Sequence, residues 1–306
     1  MGSGEFLHVS INNRCNNNCI FCMETDAKNL IPPSSKRLSI LFQKAIKKTD
    51  SVLFTGPEPT VNKSLVNYIK MAKKIGYKDI RLVTNGRLLC HFDYARELLK
   101  SGLTEFNIAL HGSKRSIHDA MTRTPHSFDQ TIKGCYNLSK LKSDYLFRWY
   151  ISFTLTKVNS PDLYNFLKLT VFLKGVNGSI INTVIPQGGG LIFFKNLISN
   201  YTDLADSFKS AIERLKKNPK VQSKDRFNIS ILGLPVCLLV GYEKYASEYE
   251  SILMNSGNKK INIRKRERSK KLKREKCKEC KYDSFCEGVW WRYIKMKGWR
   301  EFHPIK

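Results

Sequence analysis

Acidic residues are scarce in this 306-residue chain: 26 Asp and Glu stand against 53 Lys and Arg, a formal charge of +27. That balance excludes an acidic solvating protein and admits RNA, DNA or an acidic peptide as partner. It equally fits a compositional tint over the whole surface, because the 37 Lys far outnumber the 16 Arg. One stretch concentrates the excess: Lys259 to Lys276 holds eleven Lys or Arg against Glu267 and Glu275, a net of +9. Long apolar runs are also lacking. The longest, Ile231 to Val240, is broken by Gly233 and Pro235 and falls far short of the roughly 20 residues needed to span a bilayer. No charged segment followed by an apolar one opens the sequence, so neither a membrane span nor a secretory signal is expected.

An even, dispersed set of cysteines, as a secreted disulfide framework needs, is missing too. The nine cysteines fall at 15, 19, 22, 90, 135, 237, 277, 280 and 286. An odd count in short-spaced groups points to metal or redox use in a reducing cytoplasm. With 42% apolar residues, the length suits one large α/β domain or one domain with a small appendage.

Short runs of strand type occur at 6–11, 51–55, 79–83, 105–110, 148–156 and 178–186, separated by segments of helical spacing such as Leu65, Ile69, Ala72 and Ile75. Six strands alternating with helices predict βα units, a parallel sheet and, through right-handed crossovers, a partial (β/α)6 TIM-like barrel. Sites in such folds gather at the carboxyl ends of the strands. The cysteines follow the first run there, GPEPT the second and TNG the third. The rhythm stops at Gly188-Gly189-Gly190, read as a flexible break, and the expected division is a core at 1–195 and an extension at 196–306.

Cys15, Cys19 and Cys22 are spaced C-x3-C-x2-C. Thiolates hold iron–sulfur clusters, usually four of them, and three leave one iron open for an outside ligand, as a catalytic zinc keeps an open position. Zinc, with His8 as a fourth ligand, and three unrelated buried cysteines are the alternatives. The neighbouring residues add a resemblance. With Phe21 before Cys22, the run resembles the C-x3-C-x-aromatic-C hallmark of the radical S-adenosylmethionine (SAM) superfamily. Gly56-Pro57-Glu58-Pro59 is similar to that family's GGEP turn, with Pro57 replacing a glycine, and Val83-Thr84-Asn85-Gly86 to its TNG turn. Leu110-His111-Gly112, His118-Asp119 and Ser127-Phe128 follow the family's next block, with Ala109 in place of a serine and His126 in place of a glycine. Pro186-Gln187-Gly188 also fits the pattern.

The resemblance implies that Cys15, Cys19 and Cys22 hold a [4Fe–4S] cluster and that Phe21, Gly56, Glu58, Thr84 and Asn85 contact SAM, Glu58 accepting from its ammonium. Structural roles are expected for His111 and His118, with general-base roles as the alternative. Position 109 can no longer donate a hydrogen bond, so another residue must supply one.

In the tail, Cys277, Cys280 and Cys286 are spaced C-x2-C-x5-C, and Cys237 makes four. Spacing alone fits structural zinc or an iron–sulfur cluster. The resemblance implies a second, auxiliary [4Fe–4S] cluster in a short SPASM- or twitch-like extension. Cys90 and Cys135 fall in helical segments and read as core residues. The aromatic set Trp290, Trp291, Tyr293, Trp299 and Phe302 reads as a closing element against the barrel, with base stacking as the alternative.

As an enzyme of this kind, the chain would cleave SAM with an electron from ferredoxin or flavodoxin, and the 5′-deoxyadenosyl radical would abstract hydrogen from a substrate. A peptide or protein is the first expectation for that substrate. RNA, through the basic run, and a small metabolite are the alternatives. A non-catalytic, metal-containing nucleic-acid-binding protein is the rival class, and it leaves GPEPT and TNG unexplained.

Overall fold

The computed structural model describes residues 6–25, 31–222, 227–246 and 270–306. Seven parallel strands run in sequence order: β1 Leu7–Ser10, β2 Ser51–Thr55, β3 Asp79–Thr84, β4 Glu105–Ala109, β5 Arg148–Leu155, β6 Gly178–Thr183 and β7 Asn228–Leu232. The intervening helices are α1 Ser35–Ala45, α2 Leu65–Ile75, α3 Phe92–Lys100, α4 Arg115–Thr122, α5 Ser127–Leu141 and α6 Leu163–Val171. Two short turns, α7 Gly189–Ile192 and α8 Phe194–Leu197, lead into α9 Tyr201–Lys216 and then α10 Pro219–Gln222. A two-stranded antiparallel ribbon, β8 Lys271–Leu272 and β9 Val289–Trp290, precedes α11 Trp291–Lys297.

The six expected strands are all present, and a seventh joins them. Asn228–Leu232 pairs in parallel with β6, Ile180 facing Ser230 and Asn182 facing Leu232. Its alternation was masked in the sequence by the following apolar run through Val240. The parallel sheet therefore continues beyond residue 195. Most of the basic run, 259–269, lies outside the described residues.

Burial alternates along the strands because only one face meets the helices. Val52, Phe54, Ile80, Leu82, Phe106, Ile108, Ile151 and Phe153 are fully buried on that face, each worth roughly 1.5–3 kcal/mol relative to exposure. The opposite face, the inside of the curved sheet, carries half-buried Asn107, Tyr150, Ser152, Thr154 and Asn182. At its amino end Arg81 pairs with Asp79 and Glu105, and Arg148 with the same two carboxylates.

Local signals set the helix limits. Ser34 caps α1 by accepting from Arg37 N, and Asn200 with Asp203 forms a capping box on α9. The extension is fastened by aromatic packing. Tyr293 stacks on Tyr201 at 3.9 Å, its Oη accepts from Tyr201 N at 2.9 Å, and Phe302 packs edge-on against both rings. Trp290, Tyr293 and Phe302 are buried as the closing-element reading expects, whereas Trp291 stays exposed.

Candidate active site

The loop after β1 places the three clustered cysteines over the carboxyl ends of the strands. Every asparagine between Cys15 and Cys19 is held. Asn85 Nδ2, from the turn after β3, donates to Asn16 Oδ1 at 2.6 Å, and Asn17 N donates to Cys15 Sγ at 3.3 Å. Arg87 donates to Asn16 O and to Asn17 Oδ1, and Arg123 to Asn18 O at 2.7 Å and Asn18 Oδ1 at 2.9 Å. The end of α4 adds two backbone acceptors: Asn18 N donates to Thr122 O and Ile20 N to Met121 O, both at 3.0 Å.

Burial pushes the Cys15 thiol up to about 11, partly offset by the hydrogen bonds from Asn17 and Asn85. It raises Cys19 further, helped by the charges of Cys15 and Cys22. The three sulfurs thus lie within electrostatic reach of one another. Among the described residues, no three His, Cys, Asp or Glu side chains are gathered tightly enough for a single ion.

Glu58 is 1% exposed and stands at the centre of the site. Its Oε1 accepts from Thr60 N at 3.0 Å, Thr60 Oγ1 at 2.5 Å and Thr84 Oγ1 at 2.6 Å, and its Oε2 from Asn85 N at 2.7 Å. Burial raises its pKa and these four bonds pull it back. Within the fold this carboxylate has a structural part beside the SAM contact expected of it. It faces inward and ties the turn after β2 to the turn after β3. Gly56, with φ +109°, is required beside it, since a Cβ there would overlap Ser10 Oγ and lie 3.1 Å from Ser10 Cβ. Thr84 and Asn85 are buried in the same network, and Asn85 reaches Cys15 Sγ at 3.9 Å. Phe21 packs edge-on against His111 at 4.6 Å.

His111 and His118, at a strand end and on a helix, are both held within the scaffold. His111 Nδ1 accepts from Thr154 N, and His118 Nδ1 accepts from His111 N. Burial holds His111 far below the usual imidazole range and His118 down to about 4. The strand partner of Ala109 is Ser152, whose hydroxyl donates to Asn107 Oδ1 on the inner face. A hydroxyl thus stands on the neighbouring strand beside the position where the serine is missing.

Gly188-Gly189-Gly190 is no flexible break. Gly189 N donates to Cys22 O at 2.7 Å. A Cβ at Gly189 would overlap Ile20 O and sit 3.0 Å from Cys22 N, and one at Gly188 would lie 2.5 Å from Cys22 O. Sequence reading missed this buttress and both arginines. An Arg immediately after TNG, and another just after the His-Asp pair, were the available signals.

In the extension, Cys237 joins Cys277, Cys280 and Cys286 around one cavity, with Leu272, Val289, Trp299 and Phe302 supplying apolar wall. Burial, and then the charges of Cys286, Cys280 and Cys277, push Cys237 up to about 12. Ile305 N donates to Cys280 Sγ at 3.4 Å. Cys90 and Cys135 lie apart from both groups in sequence, and Cys135 is fully buried in α5.

A cysteine triad clamped over the carboxyl ends of a parallel sheet, beside a buried Glu-Thr-Asn network, fits the family model named "Radical SAM superfamily", which matches residues 9–170. The chain belongs to the radical SAM superfamily. It is 30% identical over 224 residues to a "Probable GTP 3′,8-cyclase" of Saccharolobus islandicus, covering 72% of this chain and 68% of the relative. It is 32% identical over 181 residues to the "GTP 3′,8-cyclase" of Petrotoga mobilis, covering 55% of this chain and 52% of that one. Among solved structures, Streptococcus suis SuiB bound to S-adenosylmethionine matches with a TM-score of 0.63 and 16% identity over 95% of this chain and 75% of its own. The likeness is one of fold, a partial barrel.

The protein is a radical SAM enzyme whose cofactors are a [4Fe–4S] cluster and SAM, and its chemistry requires an electron donor. The donor set fits: three thiols on one clamped loop, each able to take a different iron. Among the described residues no helix is long and apolar enough to cross a membrane.

Proposed function

We propose that Cys15, Cys19 and Cys22 hold the SAM-binding cluster and that the enzyme acts on a small molecule, with a purine nucleoside triphosphate of the GTP class as first candidate. When bound, the cluster and SAM supply the 5′-deoxyadenosyl radical that abstracts hydrogen from the substrate. The observation that carries the substrate reading is the 30% identity over 224 residues to relatives named for a reaction on GTP. Among the comparisons a peptide is suggested by SuiB, which is also known bound to the precursor peptide SuiA, at 13% identity, which speaks for fold and not substrate.

The chain's own residues suit this role. Glu58 fixes the two turns that frame the SAM site, and Asn85 ties them to Cys15. The inner face offers neutral donors and acceptors on Asn107, Tyr150, Ser152, Thr154 and Asn182, the groups that orient a small polar molecule. The ion pairs of Arg81 and Arg148 with Asp79 and Glu105 close the floor. Cys237, Cys277, Cys280 and Cys286 would hold the auxiliary cluster, and ferredoxin or flavodoxin would supply the electron.

The test is an anaerobic incubation of reconstituted enzyme with SAM, reductant and, in separate arms, GTP, ATP, RNA or a peptide mixture. The expected result is 5′-deoxyadenosine formed in step with consumption of a nucleotide. Stimulation by peptide or RNA with none by nucleotides would overturn the small-molecule reading.

A further inference from the structure

Two guanidinium groups from separate elements grip the same short stretch of backbone. Arg87 follows the turn after β3 and reaches Asn16 O and Asn17 Oδ1, while its Nε donates to Gln130 Oε1 at 2.6 Å. Arg123 ends α4 and reaches Asn18 O and Asn18 Oδ1, with its guanidinium 5.5 Å from the Phe193 ring centroid. All these acceptors are neutral carbonyl or amide oxygens, or an aromatic face, so none of these contacts cancels either positive charge. Arg123 holds this position from a left-handed backbone, φ 49° and ψ 39°. A non-glycine residue enters that region at a cost of roughly 1–2 kcal/mol. Between the two grips lies the whole segment that joins Cys15 to Cys19.

We propose that Arg87 and Arg123 are positioning residues that lock the Asn16–Asn18 turn in its cluster-ready shape and, through their fixed charge, raise the reduction potential of the cluster held there. This rests on the assignment of Cys15, Cys19 and Cys22 as the cluster's ligands. Reduction adds negative charge to a group already carrying three thiolates. A fixed cation beside the loop favours the reduced state, and more so where water is excluded. The rigid fork matters separately, because one guanidinium can satisfy a backbone carbonyl and the amide oxygen of the same residue at once.

The test follows the SAM-responsive electron paramagnetic resonance signal, which isolates the open-iron cluster, in reconstituted wild type and in Arg87→Gln, Arg123→Gln, Arg87→Lys and Arg123→Lys. The Gln variants should load iron more slowly and show a midpoint potential shifted negative of wild type. The Lys variants should recover most of the potential, since charge returns, while still loading slowly, since the fork does not. Wild-type potential and loading rate in both Gln variants would overturn the proposal. Should a Gln variant fail to fold, its Lys counterpart decides: wild-type loading there refutes the fork. Absence of any SAM-responsive signal in wild type would instead sink the ligand assignment beneath it.

Discussion

The amide of Gly189 donates a 2.7 Å hydrogen bond to the carbonyl of Cys22, joining the loop after β6 to the loop that carries the cysteines. The contact brings two backbones together with no space for a side chain between them. A Gly189→Ala substitution puts a methyl into Ile20 O. The cluster loop must shift, and iron content and SAM cleavage should both fall well below wild type. Iron analysis of the reconstituted variant checks this; full occupancy with wild-type cleavage would show that the buttress is dispensable.

Glu58→Gln swaps one acceptor oxygen for an amide that faces donors. Thr60, Thr84 and Asn85 present four donor groups to the carboxylate, so at least one buried donor loses its partner at about 1–3 kcal/mol. Urea midpoints should fall accordingly, and weaker SAM binding should accompany them because two turns of the site come loose. An unchanged midpoint with unchanged SAM affinity would contradict the network's role.

How much of this was legible in sequence depended on whether the signal was local. Strands with period-two alternation, and the motif turns at their ends, could be read directly. Cys237 could be grouped with the tail cysteines, which lie far along the chain, although spacing alone left its purpose open. The seventh strand was hidden because Asn228–Leu232 is short and its last two residues were counted into the apolar segment that runs to Val240. The roles of Gly189 and Arg123 were harder to read for another reason: their partners, Cys22 and Asn18, lie more than a hundred residues away, and only the folded sheet order brings them together. Glu58 was found by motif, but the inward direction of its carboxylate is a tertiary fact.

His126 stands at φ 62° where the family pattern has glycine. Its amide N donates to Asp119 Oδ2, a bond that glycine keeps. His126→Gly removes left-handed strain of roughly 1–2 kcal/mol and returns about 0.5–1 kcal/mol of chain entropy to the unfolded state. A net gain between zero and about 1.5 kcal/mol is expected, read as a higher thermal midpoint. A lower midpoint would mean that the exposed contact of His126 Nδ1 with Asp129 Oδ2, at 3.7 Å, outweighs the strain.

His118 makes stability depend on pH. Burial, opposed by Asp119 and aided by Arg87, lowers its folded pKa to about 4. The unfolded value lies near 6.5, so the unfolded chain takes up the proton first as pH falls. Stability from this group is complete above about pH 6.5 and drains as pH drops toward 4, by about 2 kcal/mol at pH 5. Urea midpoints at pH 7 and pH 5 measure the loss. His118→Asn keeps an acceptor for His111 N and cannot titrate, so it should make the profile less steep, with buried His111 supplying the remainder; an equally steep profile would assign the loss elsewhere.

Under the proposed assignment Cys15, Cys19 and Cys22 serve SAM cleavage, while Cys237, Cys277, Cys280 and Cys286 hold a separate cluster. The most direct measurement is the yield of 5′-deoxyadenosine from SAM under reductant, compared between wild type and two triple alanine variants. Replacing Cys15, Cys19 and Cys22 should abolish the product, and replacing Cys277, Cys280 and Cys286 should leave cleavage of SAM in place. Product from the first variant, or none from the wild type, would overturn that assignment.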